Sequence, residues 1–236
     1  MTLDTSLLGF IPARSGSVRA PHKNVRDFAG SSLLALAVTA AIEAERLDRV
    51  CLSTNSEDYA AKAADAGLTE GYRRPAHLAT DTASGGDCVL DYLQWSDEAG
   101  LPPVSHVVML QPTSPFRTAG DIDGAVDFWR HGGRPSLASV TPAAHNPRFV
   151  VSRDRKTGKQ IREGKGEDRD FYVLDGAIFI TPVEMIRETG RFWNEESALY
   201  VRDYPVFYDI DTKADFAAAE AVLRATAGGG KTGASS

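Results

Sequence analysis

The 236-residue sequence contains only two cysteines, and both lie in segments whose patterns are typical of a buried strand or helix. We interpret Cys51 and Cys88 as reduced core thiols of a cytoplasmic protein. Long apolar runs are also missing. The longest charge-free stretch, residues 28–42, is interrupted by serine and glycine, and it is shorter than the roughly 20 apolar residues of a membrane-spanning helix. The first ten residues carry no basic segment, so they do not predict a signal peptide.

An excess of positive charge is absent as well. The chain has 26 Lys and Arg residues against 32 Asp and Glu residues, a net charge of −6. This balance argues against a general binder of nucleic acid or anionic membranes, although it leaves room for a local basic pocket. With 42% hydrophobic and 25% charged residues, the composition is that of a soluble globular protein.

The common glycine-rich phosphate motifs are missing. No G-x-G-x-x-G follows the first predicted strand. The segment Gly230-Lys231-Thr232 does not complete a G-x-x-x-x-G-K-[ST] motif, because Ala225 stands where its first glycine is required. These absences argue against a dehydrogenase or a kinase.

Strand-like and helix-like segments alternate along the chain. The predicted strands are 6–12, 49–53, 106–110, 136–141, 172–181 and 206–210. The predicted helices are 32–45, 56–66, 82–95, 119–129 and 212–225. This alternation predicts βαβ units and a mostly parallel sheet in an α/β fold. The polar, basic stretch 142–170 breaks the rhythm and is typical of an inserted strand–turn–strand element, so we expect one domain over 1–227 and a flexible tail over 228–236.

Open parallel sheets bind ligands beyond the carboxyl ends of their strands, and the segment after the first strand is basic. Arg14, Arg19, Lys23 and Arg26 are interspersed with small residues, and no acidic residue occurs over 5–26. Small residues let backbone N–H groups approach phosphate oxygens while Arg and Lys supply charge, so this segment fits an anion site. A solvated basic loop is the alternative.

Two further stretches follow predicted strands. Residues 73–86 lead into a helix whose first turn is rich in small and hydroxyl residues, where Asp81 or Thr82 would be a plain N-cap. Residues 110–118 contain two prolines, which would hold Gln111, Thr113, Ser114 and Arg117 rigidly at the sheet edge. The stiffness of the second stretch favours a binding site over a simple connector.

A pair of carboxylates ends the last predicted strand. At strand spacing, Asp209 and Asp211 project to the same face. Two neighbouring carboxylates repel unless a cation lies between them or one is protonated, and hard oxygen ligands suit Mg²⁺ on a nucleotide phosphate. The alternative is that Asp211 caps the final helix and Asp209 is a surface charge.

Together these stretches resemble the CMP–sialic acid synthetases, the acylneuraminate cytidylyltransferase family. The family pattern I-P-A-R-x-G-S…K-N matches residues 11–24, R-R-P-A-x-L-A-x-D-T-A-S matches 73–84 and L-Q-P-T-S-P-x-R-T matches 110–118. The N-G-A-I-Y-I and I-D-I-D-T patterns correspond to 175–180 and 208–212. The resemblance implies a three-layer, Rossmann-like fold of the nucleotide-diphospho-sugar-transferase type, with a mixed, mostly parallel sheet. It also implies a homodimer whose subunits exchange a small element at about 142–170.

The resemblance further implies that CTP and a small acidic acceptor react to give a CMP conjugate and pyrophosphate. Arg14 and Lys23 would hold the triphosphate and would be catalytic together with Asp211. The implied nucleotide site comprises Ala13, Arg14, Ser15, Gly16, Arg19, Lys23, Asn24, Arg74, Ala83 and Gly85. The implied acceptor site comprises Gln111, Thr113, Asp175 and Phe179. Asp209 and Asp211 would hold Mg²⁺, and neither nucleic acid nor a membrane is an expected partner.

The nucleotide loop departs from the family pattern. Val18-Arg19 stands where Lys-Gly is usual, so one phosphate-binding charge is missing from its place. The S-x-R-x-P-x-K spacing of residues 17–23 resembles the KDO cytidylyltransferases instead, although those lack the Q-P-T-S-P stretch. We therefore expect Arg19 to restore the lost charge.

The acceptor side departs too. Asp175 replaces Asn and Phe179 replaces Tyr, which removes two hydrogen-bond donors. An Asp there would repel an acceptor carboxylate unless it is protonated or paired. A sialic-acid-like nonulosonic acid is the first expectation for the acceptor, a small phosphonate such as phosphonoformate is the alternative, and an inactive nucleotide-binding module is the alternative of another class. Basic residues of the insertion could supply counter-charge to the acceptor, or they could belong to a solvated hairpin: Arg153, Arg155, Lys156, Lys159, Arg162, Lys165 and Arg169.

Overall fold

The structure is a computed structural model that describes residues 5–16, 22–69, 71–143, 151–153, 160–162, 170–202 and 209–228. The strands found in these residues are β1 (Leu7–Pro12), β2 (Arg49–Ser53), β3 (His106–Met109), β4 (Leu137–Pro142), β5 (Val151–Arg153), β6 (Gln160–Arg162), β7 (Tyr172–Pro182) and β8 (Ala198–Val201). The α-helices are α1 (Leu33–Ile42), α2 (Glu57–Asp65), α3 (Gly85–Glu98), α4 (Ala119–Gly132), α5 (Val183–Thr189) and α6 (Lys213–Gly228).

Six of these strands form one sheet in the order β2-β1-β3-β7-β4-β8. β1 is parallel to β2 and β3, and β4 is parallel to β8. β7 runs antiparallel to both of its neighbours, β3 and β4. The expected mixed, mostly parallel α/β sheet is thereby confirmed. β5 and β6 form a separate antiparallel pair within the stretch interpreted as an insertion.

Alternation along the strands builds an apolar layer on each face of the sheet. In β1, Leu7 and Ile11 belong to the layer under α1, α2 and α4, whereas Leu8 and Phe10 belong to the layer under α3 and α5. Both cysteines are buried, as expected. A third cluster, around Phe28, Ile210 and Phe216, packs α6 against α1, the segment before α1 and Phe116 in the segment after β3. Among the described residues, no helix is long and apolar enough to cross a membrane.

Local capping decides where several helices begin. The hydroxyl of Ser84, rather than Asp81 or Thr82, accepts the N-terminal hydrogen bond of α3 from the amide of Asp87, so this helix begins three residues later than expected. Thr118 and Asp121 form a reciprocal capping box on α4. The hydroxyl of Thr212 likewise accepts from the amide of Asp215 at 3.2 Å, and the carboxylate of Asp215 accepts from the amide of Thr212 at 2.7 Å.

Two elements, α5 and β8, are absent from the sequence prediction. The predicted strand 206–210 falls largely outside the described residues, and Asp209 and Ile210 lie in no strand. The remaining elements agree with their predicted ranges to within a few residues, and β2 agrees at both ends.

Candidate active site

A cavity of about 860 Å³ lies at the carboxyl ends of β1 and β3. It is lined by ten of the residues assigned from the sequence: Arg14, Lys23, Asn24, Arg74, Ala83, Gly85, Gln111, Thr113, Phe179 and Asp211. Its other lining residues are Pro12, Asp81, Met109, Pro112, Arg191, Phe192 and Trp193. The four candidate functional stretches of the sequence therefore all contribute residues to one cavity.

Two cations of the first loop, Arg14 and Lys23, line the cavity, and each is paired with a carboxylate. The guanidinium of Arg14 forms an ion pair with Asp81 and donates to the carbonyl of Gly16 at 2.9 Å. The Nζ of Lys23 lies 3.3 Å from Oδ1 of Asp211 and donates to the carbonyl of Ile210 at 2.6 Å. Lys23 thus ties the loop after β1 to the segment before α6, although 188 residues separate Lys23 from Asp211 along the chain.

Arg74 is a buried cation at the end of β2. Its side chain donates to the hydroxyl and the carbonyl of Ser53 at 2.9 and 2.8 Å, and the residue is only 6% exposed. Burial lowers the pKa of the Arg74 guanidinium. Next to it, the hydroxyl of Tyr72 donates to Asp91 at 2.6 Å. Burial raises the pKa of Tyr72, and the hydrogen bond to the Asp91 carboxylate raises it further. A guanidinium removed from water in this way is suited to an anionic or polar ligand in the cavity.

Asn24 presents an unpartnered oxygen. The residue is 7% exposed, and its Oδ1 has no hydrogen-bond partner among the described residues. Its backbone carbonyl accepts from the amide of Leu34 at 2.8 Å, which fixes it at the start of α1. Because a buried oxygen without a partner is costly, Asn24 is a strong candidate for a ligand contact.

The carboxylates before α6 are not helix caps. The backbone amide of Asp211 donates to Asp215, which together with Thr212 caps the helix, so the side chain of Asp211 is directed to Lys23 instead. Asp209 accepts from the hydroxyl of Thr113. Removal of water by the surrounding protein raises the pKa of Asp209, the Thr113 hydrogen bond lowers it, and the charge of Asp211 raises it further. In the described part of the chain, no group of three or more His, Cys, Asp or Glu side chains is arranged to hold a metal ion.

One wall of the cavity is aromatic, and the sequence analysis does not predict it. Phe192 and Trp193 line the cavity with Arg191, in the loop between α5 and β8. The hydroxyl of Thr181 in β7 donates to the carbonyl of Phe192 at 2.6 Å and holds this loop against the sheet. A Cβ on Gly85 would lie 2.9 Å from the ring of Phe192, so the absence of a side chain at Gly85 makes room for the ring. No sequence motif predicts that this loop lines the cavity. The only indication in the sequence is the pair of large aromatic residues shortly after Gly190.

Asp175 does not line the cavity: the structure places it inside the fold and not at the wall where the acceptor was expected. It is 4% exposed, accepts from the hydroxyl of Ser139 and the amide of Ala177, and pairs with Arg202 at 3.1 Å. The physical reason is that Arg202 neutralises the carboxylate inside the fold. Phe179 does line the cavity, as expected.

The remaining assigned residues support the first loop or lie outside the described residues. The amide of Ala13 donates to the carbonyl of Ser53 at 2.9 Å, and that of Ser15 to Oδ1 of Asn55 at 3.0 Å. Gly16 contributes its carbonyl to Arg14. Arg19 lies outside the described residues. Of the basic residues of the insertion, Arg153 and Arg162 belong to β5 and β6, and the others lie outside the described residues.

Comparison with known proteins gives consistent similarities. The sequence profile of the family described as cytidylyltransferase matches residues 8–165. A CMP-N,N'-diacetyllegionaminic acid synthase of Legionella pneumophila is 32% identical over 225 residues, covering 92% of this chain and 96% of the relative. An N-acylneuraminate cytidylyltransferase of Escherichia coli is 30% identical, with 90% of this chain and 51% of that protein covered.

Solved structures share the fold at low sequence identity. A CMP:2-keto-3-deoxy-manno-octonic acid synthetase complexed with CTP superposes with a TM-score of 0.66 at 15% identity, covering 94% of this chain and 100% of that one. A 4-diphosphocytidyl-2C-methyl-D-erythritol synthase from Anaerococcus prevotii gives a TM-score of 0.65 at 12% identity, with 93% and 96% of the two chains covered. At these identities the likeness establishes the three-dimensional arrangement alone.

Proposed function

The chain belongs to the cytidylyltransferase family, within the group of the CMP–sialic acid synthetases, and from that premise we propose that it transfers CMP from CTP to a nonulosonic acid and releases pyrophosphate. The observation that carries this proposal is the composition of one cavity. Arg14, Lys23, Arg74 and Asn24 line it together with Gln111 and an aromatic wall.

Strand order gives the cavity two distinct ends. At the carboxyl end of β2, Ser53 accepts a hydrogen bond from Arg74. At the carboxyl end of β1, Arg14 follows Pro12 by two residues. β3 and β7 lie next in the sheet, where Met109 pairs with Phe179 and Gln111 follows two residues later. We assign the nucleotide to the β2–β1 end, because its cations match phosphate, and the acceptor to the β3–β7 end.

At the nucleotide end, the loop cations are held by weaker partners than a triphosphate. Arg14 is paired with the exposed carboxylate of Asp81, and Lys23 with Asp211. Each carboxylate carries one charge, whereas a triphosphate brings several and accepts several hydrogen bonds. Bound CTP would therefore recruit Arg14 and Lys23 from Asp81 and Asp211. The buried Oδ1 of Asn24 would accept a hydrogen bond from a hydroxyl of the ribose.

We propose that Asp209 and Asp211 hold Mg²⁺. The donor set fits this ion, since two carboxylates two residues apart offer hard oxygen ligands, and the charge of Asp211 helps to raise the pKa of Asp209. When bound, Mg²⁺ would offset negative charge on the phosphate oxygens. Lys23 would then be released from Asp211 to serve the triphosphate.

At the acceptor end, aromatic rings and one amide offer a surface for a substituted sugar acid. Phe179, Phe192 and Trp193 provide apolar faces that suit the methyl groups of N-acyl substituents, and Gln111 offers both a donor and an acceptor. Arg191 has no ion-pair partner among the described residues and lies on the same wall, where it suits a carboxylate of the acceptor. The relative named for N,N'-diacetyllegionaminic acid supports an acceptor with two N-acyl groups.

The reaction proceeds by displacement at the α-phosphorus of CTP. The acceptor hydroxyl oxygen forms the new P–O bond, the bond from the α-phosphorus to the bridging oxygen breaks, and pyrophosphate leaves with that electron pair. The hydroxyl proton passes to solvent or to a nearby carboxylate. Arg14 and Lys23 stabilise the charge on the phosphoryl oxygens, and Gln111 orients the acceptor, so the protein acts through positioning and electrostatics.

Pyrophosphate release tests this proposal. Initial rates should be measured with CTP and Mg²⁺ and with N,N'-diacetyllegionaminic acid, N-acetylneuraminic acid, KDO or phosphonoformate as the acceptor. We expect release with a nonulosonic acid and background rates with the other two. Release only with phosphonoformate would replace the proposed acceptor, and CTP binding without release for any acceptor would favour an inactive binding module.

Replacing Asp211 tests the metal assignment. We expect Asp211→Ala to keep the fold and to lose at least about 10²-fold in turnover, because one preorganised charge partner at the phosphates is removed. Circular dichroism and initial rates would be compared with Asp97→Ala on the exposed face of α3. A variant of Asp211 that retains more than about a tenth of the wild-type rate would contradict the assignment.

A further inference from the structure

The strand β7 is irregular next to the acceptor end of the cavity. Its register with β4 pairs Leu174 with Val140 and then Phe179 with Ala138, so residues 175–178 of β7 lie opposite Ser139 alone. Gly176 adopts a φ of +68°, a conformation that favours glycine. The segment 175–178, which we name the β7 bulge, is therefore a built-in departure from strand geometry.

A buried carboxylate holds the β7 bulge together. One oxygen of Asp175 accepts from the hydroxyl of Ser139 and from the amide of Ala177 at 3.0 Å. The other oxygen accepts from Nη1 of Arg202 at 3.1 Å. Asp175 and Arg202 are 4% and 7% exposed, so this ion pair is shielded from water.

The β7 bulge in turn lies against Gln111. A Cβ on Gly176 would lie 2.9 Å from Oε1 of Gln111, which shows how closely the two residues approach. Arg117, 3% exposed, donates through one Nη1 to the carbonyls of Gln111 and Ala177 at 3.0 and 2.9 Å. Arg117 thus holds the backbone of Gln111 to the β7 bulge, and Gly176 of the bulge lies against the side-chain amide of Gln111.

We propose that Asp175 and Arg202 form a matched positioning pair, which sets the place of Gln111 through the β7 bulge and so determines acceptor binding. This inference rests on the proposed function, since it assigns Gln111 to the acceptor. Asp175 acts here without touching substrate. An Asn in its place has one oxygen for three donors and turns an N–H group toward either Arg202 or the donors of the bulge. Asp at 175 and Arg at 202 therefore belong together.

The test compares Asp175→Asn, Arg202→Met and the double variant. Removing one partner leaves a buried group unpaired, whereas removing both is far less disruptive. Glu220→Gln with Arg224→Met removes a far less buried ion pair on α6, with side chains 24% and 67% exposed, and serves as the matched control. Gly176→Ala is an additional variant, because it keeps the ion pair and displaces Gln111 directly.

Two readouts are needed. The first is the pair of side-chain amide NMR signals of Gln111 in ¹⁵N-labelled protein, assigned by their loss in Gln111→Ala; this readout requires no turnover. We expect the signals to shift in each single variant and in Gly176→Ala, and to return towards their wild-type positions in the double variant. The second is KM for N,N'-diacetyllegionaminic acid, which we expect to rise about tenfold or more in the single variants while KM for CTP stays within about twofold.

The outcomes separate this inference from the proposed function. Unmoved Gln111 signals in folded single variants and in Gly176→Ala would overturn it, as would a double variant that is no closer to wild type than the singles. If a single variant does not fold, the double variant and Gly176→Ala decide. A wild-type protein without pyrophosphate release would defeat the proposed function, while the NMR readout would still decide the link between the pair and Gln111.

Discussion

At the scale of single residues, Asn24 is the cavity residue whose proposed role in ligand binding carries the clearest cost to the fold. Its Oδ1 is buried without a partner in the described structure. We expect Asn24→Ala to raise KM for CTP about tenfold, the equivalent of one lost hydrogen bond of about 1.4 kcal/mol. The free energy of unfolding should stay the same or rise, because the desolvation cost of the oxygen disappears.

Urea unfolding and initial rates check this expectation, with Gln94→Ala on the exposed face of α3 as the control. A fall in stability with unchanged KM would mean that Asn24 is a structural residue and not a ligand contact.

Residues of the site differ in how well the sequence foretells them. Arg14, Lys23 and Asn24 stand together in one loop of a single charge sign, and that grouping survives in the structure as one side of the cavity. Asp175 was misplaced because its neutralising partner, Arg202, lies 27 residues further along the chain. No local pattern records such a pairing, and only the fold brings the two side chains together.

At the scale of elements, α3 and the turn that ends α5 meet through two glycines. A Cβ on Gly86 would lie 2.8 Å from the carbonyl oxygen of Gly190 and 2.9 Å from its Cα. Because backbone atoms cannot move aside as a side chain can, we expect Gly86→Ala to lower the free energy of unfolding by about 1–3 kcal/mol. The acceptor KM should rise as well, since Gly190 leads directly to the aromatic wall.

Chemical denaturation and initial rates with both substrates measure these effects. Gly132→Ala at the end of α4 is the matched control, because nothing lies within 4 Å of its Cβ position. An unchanged midpoint in Gly86→Ala would show that the approach of α3 to Gly190 is not tight.

The contact between β3 and α4 makes stability depend on pH. The rings of His106 and Trp129 are in tilted contact with their centroids 4.6 Å apart. Burial lowers the pKa of His106 from 6.5, and the charge of Glu184 opposes this shift. The folded state therefore binds the proton less readily than the unfolded state, so this contribution is fully present above about pH 6.5 and is lost as pH falls from there through the lower pKa of the folded state.

Urea unfolding at pH 7.5 and 5.5 tests this dependence. Between pH 7.5 and pH 5.5 we expect the wild type to lose more free energy of unfolding than His106→Gln, whose side chain cannot be protonated. His77 is exposed, so the control His77→Gln should behave as the wild type does. Equal losses in the wild type and His106→Gln would exclude His106 as the source.

Elements with a strong apolar pattern were predictable, and weakly patterned ones were not. β1, β2 and β3 are short, mostly buried apolar runs between polar segments, so the sequence predicts their ranges closely. α5 has only seven residues and no side-chain cap on its N-terminus. β8 has four residues and lies at the sheet edge, with Leu199 and Val201 about half exposed. Neither offers the periodicity or capping that marks a longer element.

At the scale of the whole molecule, the sheet places two different chemistries side by side. Strand order sets the cationic ends of β1 and β2 beside the Gln111 and Phe179 region of β3 and β7. Sequence motifs alone located both groups but not the aromatic loop of the cavity, because Phe192 is held there by Thr181 of β7. The fold thus supplies the wall to which we assign the acceptor, and the motifs supply the residues to which we assign the nucleotide.

The most direct test is the identity of the conjugate formed by the purified protein from CTP, Mg²⁺ and an equimolar mixture of N,N'-diacetyllegionaminic acid, N-acetylneuraminic acid, KDO and phosphonoformate. Mass spectrometry of the products distinguishes the four conjugates in one reaction. We expect a CMP conjugate of a nonulosonic acid to dominate, with pyrophosphate formed in equal amount. A mixture in which CMP is found only on phosphonoformate or KDO, or on no acceptor at all, would contradict the account.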